Sequence, residues 1–268
     1  NNNIKRQIKV KDSLKFLTQS SKIYRQNINA KIIAITGSCG KTTLKELLGS
    51  SLKKISKVST SPKSYNNKYG VPLSLFNLDQ KDQYGVLEAG MNKKGEIDFL
   101  SKIIQPDVSV ITNVNYAHGK NFKNLKQIAL AKSEIINNTK NNGFIVLNAD
   151  DDFFNFHIKI AIKKNIKILS FGINNKNSNV KLIKIIKTGK NFKAIIKINN
   201  LKTYFLISND FQNNILNILA TLTVMSIFVD ISKIDKNIFL NFETPNGRGD
   251  FSKIKVKNKN LNLIDESY

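Results

Sequence analysis

Apolar positions along the chain fall into two formats. Short continuous runs of the kind buried on both faces of a parallel sheet alternate with stretches at helical spacing. The runs are Ile32–Ile35, Tyr84–Leu87, Val108–Thr112, Phe144–Leu147 and Ile166–Phe171. Helical spacing appears at Leu44, Leu47 and Leu48; at Phe99, Leu100, Ile103 and Ile104 before the breaker Pro106; and from Leu125 to Asn138, where Leu125, Ile128, Ala129, Ile135 and Ile136 form the stripe. Ahead of these, Ile8 and Val10 alternate, and Asp12-Ser13 offers N-caps to a helix with apolar positions Leu14, Phe16, Leu17 and Tyr24. Arg25 to Asn29 is polar and reads as a linker. From Asn179 to Ile207 the period changes to two, with turns at Gly189 and Asn199-Asn200. Asp210 is then placed to cap an apolar helix from Phe211 to Phe228. The pattern predicts an α/β fold: a mostly parallel sheet flanked by helices, with a small antiparallel β subdomain.

The first strand and helix enclose Thr36-Gly37-Ser38-Cys39-Gly40-Lys41-Thr42-Thr43. A glycine-bearing turn between strand and helix lets backbone N–H groups and the positive end of the helix dipole converge on one phosphate. Lys41 is placed to meet the terminal phosphates of a nucleotide, and Thr42 to offer an oxygen to Mg²⁺. The general P-loop pattern has a Gly five residues before Gly40, where this chain has Ile35, so the motif is a shortened variant anchored on Gly37. The alternative is an ordinary glycine turn. The flanking strand and helix favour nucleotide binding and a P-loop NTPase-like sheet.

Further candidates lie at the carboxyl ends of the other runs, where open α/β sheets bind ligands. Glu88 ends one strand and suits a Mg²⁺ partner for the phosphate loop, although many strands end in a Glu. Asn113, Asn115 and His118 follow the next strand, and His118 is either a ligand or a satisfied polar residue. The turn-rich stretch from Ser61 to Pro72 is either a surface loop or one that reaches over the site. Lys132 lies off the apolar stripe of its helix and by default is a solvated lysine. Asn213, Asn214 and Asn217 sit on an apolar helix and need partners, either a base amide edge or packing against another helix.

Composition narrows the partners. Lys and Arg number 43 against 19 Asp and Glu, for a formal net charge of +24. Alone, that points to an anionic partner such as nucleic acid. The lysines are spread along the chain beside abundant Asn and Ile, with no run of Lys interleaved with aromatics. A compositional habit accounts for the charge better. The single Cys39 rules out an intrachain disulfide and suits a reducing, cytoplasmic setting. There is no secretory signal and no apolar run of membrane-spanning length. With Asn1-Asn2-Asn3 in place of an initiator Met, and an apolar alternation running to the final Asp265-Glu266-Ser267-Tyr268, both ends read as cut.

Taken together, the chain resembles the Mur ligases, the ATP-dependent amide-forming enzymes of peptidoglycan synthesis. The resemblance is carried by the phosphate-loop residues; Tyr65-Asn66-Asn67 with Gly70-Val71-Pro72-Leu73; Glu88-Ala89-Gly90 with Gly95-Glu96-Ile97; Thr112-Asn113-Val114 with Ala117-His118; Ala131-Lys132-Ser133-Glu134-Ile135; Asn217-Ile218-Leu219-Ala220; Gly247-Arg248; and Asp265-Glu266-Ser267-Tyr268. The Asn-Asn loop and the Gly-Glu-Ile segment favour the branch that joins D-alanyl-D-alanine to UDP-N-acetylmuramoyl-tripeptide. The resemblance implies the tail of a UDP-binding domain over residues 1–29, the central ATP-binding domain over 30–244, and the start of a C-terminal domain over 245–268. It implies ATP contacts by Gly37, Ser38, Cys39, Gly40, Lys41, Thr42 and Thr43, one Mg²⁺ held by Thr42 and Glu88, and a second served by His118 and a carbamylated Lys132. Asn217 matches the adenine contact, Arg248 an arginine near the phosphates, and Glu266 the acidic ribose contact. Lys41, Lys132, His118 and Arg248 are the implied catalytic set. A Gly-x-His-Asn pattern that precedes the adenine Asn in the family has Phe211 and Asn213 in place of its Gly and His. A cytoplasmic monomer is implied, with no nucleic acid and no membrane insertion. The rivals are another Mur ligase, a folylpolyglutamate synthase-like enzyme, and a nucleic-acid-stimulated P-loop ATPase.

Overall fold

The computed structural model describes residues 8–116, 121–208, 214–248, 250–256 and 259–265. The apolar runs become strands: β1 (Lys31–Thr36), β2 (Val58–Thr60), β3 (Tyr84–Glu88), β4 (Val108–Ile111), β5 (Phe144–Asn148) and β6 (Lys167–Gly172). Between them lie α2 (Lys41–Lys53), α3 (Gly70–Phe76), α4 (Glu96–Ile104), α5 (Leu125–Asn137) and α6 (Phe154–Lys163), with α1 (Ser13–Gln26) ahead of them. Asp12 caps α1 as expected, accepting from the Lys15 amide at 2.9 Å. Pro72 falls in the first turn of α3, where a missing N–H costs no helical bond.

Among the described residues, the main sheet has strand order β2-β3-β1-β4-β5-β6 and then β7 (Val180–Thr188), β8 (Asn191–Ile198) and β9 (Leu201–Ser208). Pairing is parallel from β2 through β7 and antiparallel from β7 to β9. The antiparallel strands expected as a small subdomain therefore extend the edge of the parallel sheet. α7 (Ile215–Met225) packs against α2, β6 and β7. β10 (Asp250–Val256) and β11 (Lys259–Asp265) form a separate antiparallel pair. The expected cap Asp210 and the start of its helix at Phe211 lie outside the described residues.

Side-chain alternation along β1 builds two core layers. Ile33 and Ile35 join Leu44, Leu47 and Leu48 of α2 and Ile218 and Leu222 of α7 on one face. Ile32 and Ala34 join Ile97, Leu100 and Ile103 of α4 and Ile128 and Ile135 of α5 on the other. With β3 and β4 flanking β1 on opposite sides, the strand order switches at β1. The crevice for a ligand therefore opens at the carboxyl end of that strand.

Two expectations are corrected here. Arg25 belongs to no polar linker: it is buried in the last turn of α1. Its guanidinium donates to the carbonyl groups of Ile104 (2.8 Å), Gln105 (3.1 Å) and Ile28 (3.2 Å) and to Asp107 Oδ2 (3.1 Å). Burial lowers the Arg25 pKa, while Asp107 opposes the shift. Phe16, expected on the apolar face of α1, is exposed, and the helix buries Thr18, Ser21 and Arg25 instead.

Candidate functional site

The phosphate loop, residues 37–40, joins β1 to α2 and is fixed from the end of β4. The Ser38 amide donates to the Asn113 carbonyl at 3.0 Å and the Cys39 amide to Asn113 Oδ1 at 3.0 Å. Thr112 Oγ1 donates back to the Cys39 carbonyl at 2.6 Å. A β-carbon on Gly37, which has φ +150°, would stand 1.8 Å from Thr112 Oγ1, so only glycine allows this approach. Gly40 is the N-cap of α2 and makes no side-chain capping bond. Amides in the first turn of a helix have no partner within it, so the start of α2 is the kind of place that holds an anion. Lys41 Nζ donates to the carbonyl groups of Gly37 (2.9 Å) and Ser38 (3.3 Å), which holds its charge over the loop.

The neighbouring strand completes an oxygen site. Glu88, at the end of β3, is 1% exposed. Its Oε2 accepts from Thr42 Oγ1 at 2.7 Å and its Oε1 from Asn66 Nδ2 at 2.7 Å. Asn66 belongs to the stretch read as either a surface loop or a loop over the site, and it takes the second position. Gly90 makes room for it, since a β-carbon there would lie 2.8 Å from Asn66 Cγ. Among the described residues no three His, Cys, Asp or Glu groups cluster as a metal cage. A carboxylate and a hydroxyl beside a phosphate loop still fit Mg²⁺, a hard ion that keeps waters and takes phosphate oxygens as its other ligands.

Lys132 is corrected from a solvated lysine to a buried one. It is 2% exposed and borders the same cleft as the phosphate loop. Its pKa is lowered to about 7, first by desolvation and then by the charge of Lys41; Cys39 and Asp151 pull the other way. Behind it, His157 of α6 is buried against the Ala129 carbonyl at 3.2 Å, and burial lowers its pKa.

The cleft holds about 1170 Å³ and is bordered by Gly37–Lys41, Thr43, Glu88, Lys132, Asn217 and Arg248. Asn217 stands over the phosphate loop, its Oδ1 3.2 Å from the position of a Gly40 β-carbon, and its amide donates to Asn214 at 3.2 Å. Arg248 Nη2 donates to Ser64 Oγ at 3.3 Å, across from Asn66 on the same loop. Apart from His118 and Glu266, which lie outside the described residues with Phe211 and Asn213, the expected site residues converge here. Sequence reading missed Lys45, whose side chain is fully buried beside Ser61 and Lys63. The available signal was its position three residues before Leu48 and seven before Leu52, on the apolar stripe of α2.

Residues 35–225 match the family described as the Mur ligase middle domain. A UDP-N-acetylmuramoyl-tripeptide--D-alanyl-D-alanine ligase of Buchnera aphidicola subsp. Baizongia pistaciae is 34% identical over 235 residues, which is 87% of this chain and 50% of that protein. A crystal structure of MurF from Acinetobacter baumannii superposes with TM-score 0.86 at 31% identity, covering 98% of this chain and 56% of that one. MurF ligase from Thermotoga maritima in complex with ADP superposes with TM-score 0.85 at 28% identity, covering 100% and 60%. The chain thus spans about half the length of the relatives it matches, and by the extent of the middle-domain match it belongs to the Mur ligase family.

Proposed function

We propose that the chain forms the ATP-binding core of a ligase that joins D-alanyl-D-alanine to UDP-N-acetylmuramoyl-tripeptide in cytoplasmic peptidoglycan precursor synthesis, acting as a monomer. In this reading residues 1–29 end the UDP-binding domain, 30–244 bind ATP, and 245–268 begin the C-terminal domain. One observation carries it: Thr42 and Glu88 meet at 2.7 Å beside the phosphate loop, and Glu88 borders the cleft shared by Lys41, Lys132, Asn217 and Arg248.

A carboxylate cannot form an amide at neutral pH without a leaving group. The tripeptide carboxylate oxygen attacks the γ-phosphorus of ATP, the bond to the bridging oxygen breaks, and ADP leaves with an acyl phosphate formed. The dipeptide amine then forms the C–N bond, phosphate departs with the C–O electrons, and the nitrogen gives up a proton. The chain's share is positioning and charge neutralisation. Amides at the start of α2 and Lys41 hold the phosphates. Thr42 and Glu88 would hold one Mg²⁺, and His118 with Lys132 a second; bound there, the ions would supply neutralisation of charge on the transferred phosphoryl group. In this reading Asn217 is assigned to the adenine, Arg248 to the phosphates and Glu266 to the ribose. Lys132, buried with its pKa near 7, holds enough neutral amine to add CO₂, forming an N–C bond and losing a proton, and becomes an oxygen ligand.

The test is phosphate release by the whole protein that carries this chain. Release that depends on both UDP-N-acetylmuramoyl-tripeptide and D-alanyl-D-alanine supports the reading. Release driven by a folate with glutamate, or by DNA or RNA, rejects it.

A further inference from the structure

Lys45 lies on the second turn of α2 with no exposed surface. A lysine at full burial is costly unless each of its ammonium hydrogens meets an acceptor. Here the acceptors are the Ser61 carbonyl at 2.7 Å, the Lys63 carbonyl, and Glu46 Oε1 at 2.9 Å. Two of the three belong to the backbone of the loop that follows β2. That loop carries a second cost, because Lys63 takes φ +45°, a left-handed conformation unfavourable to a residue with a β-carbon. Such a conformation persists where surrounding contacts over-determine it, and the bond from Lys45 to the Lys63 carbonyl is one of them.

The same loop reaches the metal-type site. Its first residue, Ser61, accepts from the Glu88 amide through Oγ at 3.3 Å, and Asn66 donates to Glu88 Oε1 at 2.7 Å. The Gly90 amide donates to the Asn66 carbonyl at 2.8 Å. We propose that Lys45 is a positioning residue: it touches neither nucleotide nor metal, and it pins the backbone at Ser61 and Lys63 so that Asn66 orients the Glu88 carboxylate. Its burial on the helix that begins with Lys41 and Thr42 makes the phosphate loop and the Asn66 loop one rigid unit. The part that concerns Mg²⁺ rests on the nucleotide reading above; the part that concerns the loop does not.

Two measurements on the present chain separate these parts. Hydrogen exchange without ligand is expected to show faster exchange over residues 61–67 in Lys45→Met, with β1, β3 and β4 unchanged; unchanged loop exchange overturns the proposal. The affinity for ADP is then measured with Mg²⁺ and with a chelator. Lys45→Met is expected to lose on the order of 10–100-fold in the Mg²⁺-dependent component, the usual effect of removing an outer partner of a metal ligand, with chelator-phase affinity unchanged. Asn66→Ala should lose a similar factor, and the double variant little more than either single one, because both act through one contact. Additive losses, or a looser loop with full Mg²⁺ dependence, overturn the proposal. A wild-type chain whose ADP affinity ignores Mg²⁺ rejects the nucleotide reading instead and leaves the exchange result to decide the loop. Lys45→Gln, which keeps an amide donor, replaces Met if that variant does not fold, and is expected to give an intermediate loss of the same kind.

Discussion

Thr42 Oγ1 and Glu88 Oε2 meet at 2.7 Å although 46 positions separate them in the chain. The first is in the opening turn of α2 and the second at the end of β3, the strand beside β1. Parallel register brings Glu88 opposite Ile35, one residue before the strand ends and the phosphate loop begins. The contact follows from strand order, and it sets a hydroxyl and a carboxylate, oxygen groups of the kind a hard cation takes, side by side.

Removing the charge on that pair gives the first prediction. Glu88→Gln keeps shape and an acceptor oxygen but weakens the hold on a divalent cation. Mg²⁺-dependent ADP binding is expected to fall about 100-fold, with thermal unfolding shifted little. Titration calorimetry with and without Mg²⁺ measures this, and undiminished Mg²⁺ dependence would reject Glu88 as a ligand.

Lys41 supplies the second. Its ammonium lies over the Gly37 and Ser38 carbonyl groups and its side chain is only half-buried, so truncation removes little packing. Lys41→Ala in the whole protein is expected to cut ATP turnover by at least about 10²–10³-fold, the scale of losing one charge-stabilising donor, while the folded baseline is kept. Turnover within a few-fold of wild type would sink the P-loop assignment.

The strands themselves, though not their order in the sheet, were legible in the sequence where burial on both faces produced unbroken apolar runs, as in Ile32–Ile35 and Val108–Ile111. The helix Phe154–Lys163 was not. Its residues Phe154, Phe156, Ile158, Ile160 and Ile162 fall at every second position, as in a strand. It is a helix because neighbouring parallel strands β5 and β6 need a crossover, and it buries only His157 and Ala161, one turn apart. Side chains that act against their type were also hidden. Arg25, Lys45 and Lys132 are all buried; Lys45 shares the apolar stripe of α2, but nothing in local polarity distinguishes Arg25 and Lys132 from the many exposed basic residues of a chain with net charge +24. Arg25 and Lys45 are held by carbonyl or carboxylate groups brought close by the fold, and Lys132 is buried at the cleft, so the loop around Asn66 and the depth of Lys132 emerge only with the fold.

Lys132 gives a prediction whose sign depends on pH. Its folded pKa is about 7 against 10.5 for the ordinary amine. Between these values the unfolded chain holds a proton there that the folded chain does not, so stability rises with pH across that window. Below about pH 7 the ammonium is charged in both states and its full burial cost is present. Lys132→Met is therefore expected to stabilise the fold by roughly 1–4 kcal/mol at pH 6 and by much less near pH 10, while the whole protein loses most ligase activity. Urea unfolding in CO₂-depleted buffer at both pH values is the check, and no gain at pH 6 would contradict the buried, desolvated amine.

The last prediction concerns Cys39, the single cysteine of the chain, whose residue is exposed in the phosphate loop. Its backbone is committed: the amide donates to Asn113 Oδ1, and the carbonyl accepts from Thr112 Oγ1. The side chain lies on the cleft wall beside Gly40 and Lys41. Carbamidomethylation would leave those backbone bonds in place and add several heavy atoms where the nucleotide phosphates are proposed to lie. ADP binding should then fall by an order of magnitude or more, with the folded baseline unchanged. Occupancy should work in reverse, since a phosphate seated on the loop covers the thiol, and saturating Mg-ADP should slow labelling in proportion to the bound fraction. Cys39→Ser should bind nucleotide normally and resist the reagent, which separates thiol chemistry from damage elsewhere. Labelling at one rate with and without nucleotide, in a chain that calorimetry shows to be saturated, would remove Cys39 from the phosphate site.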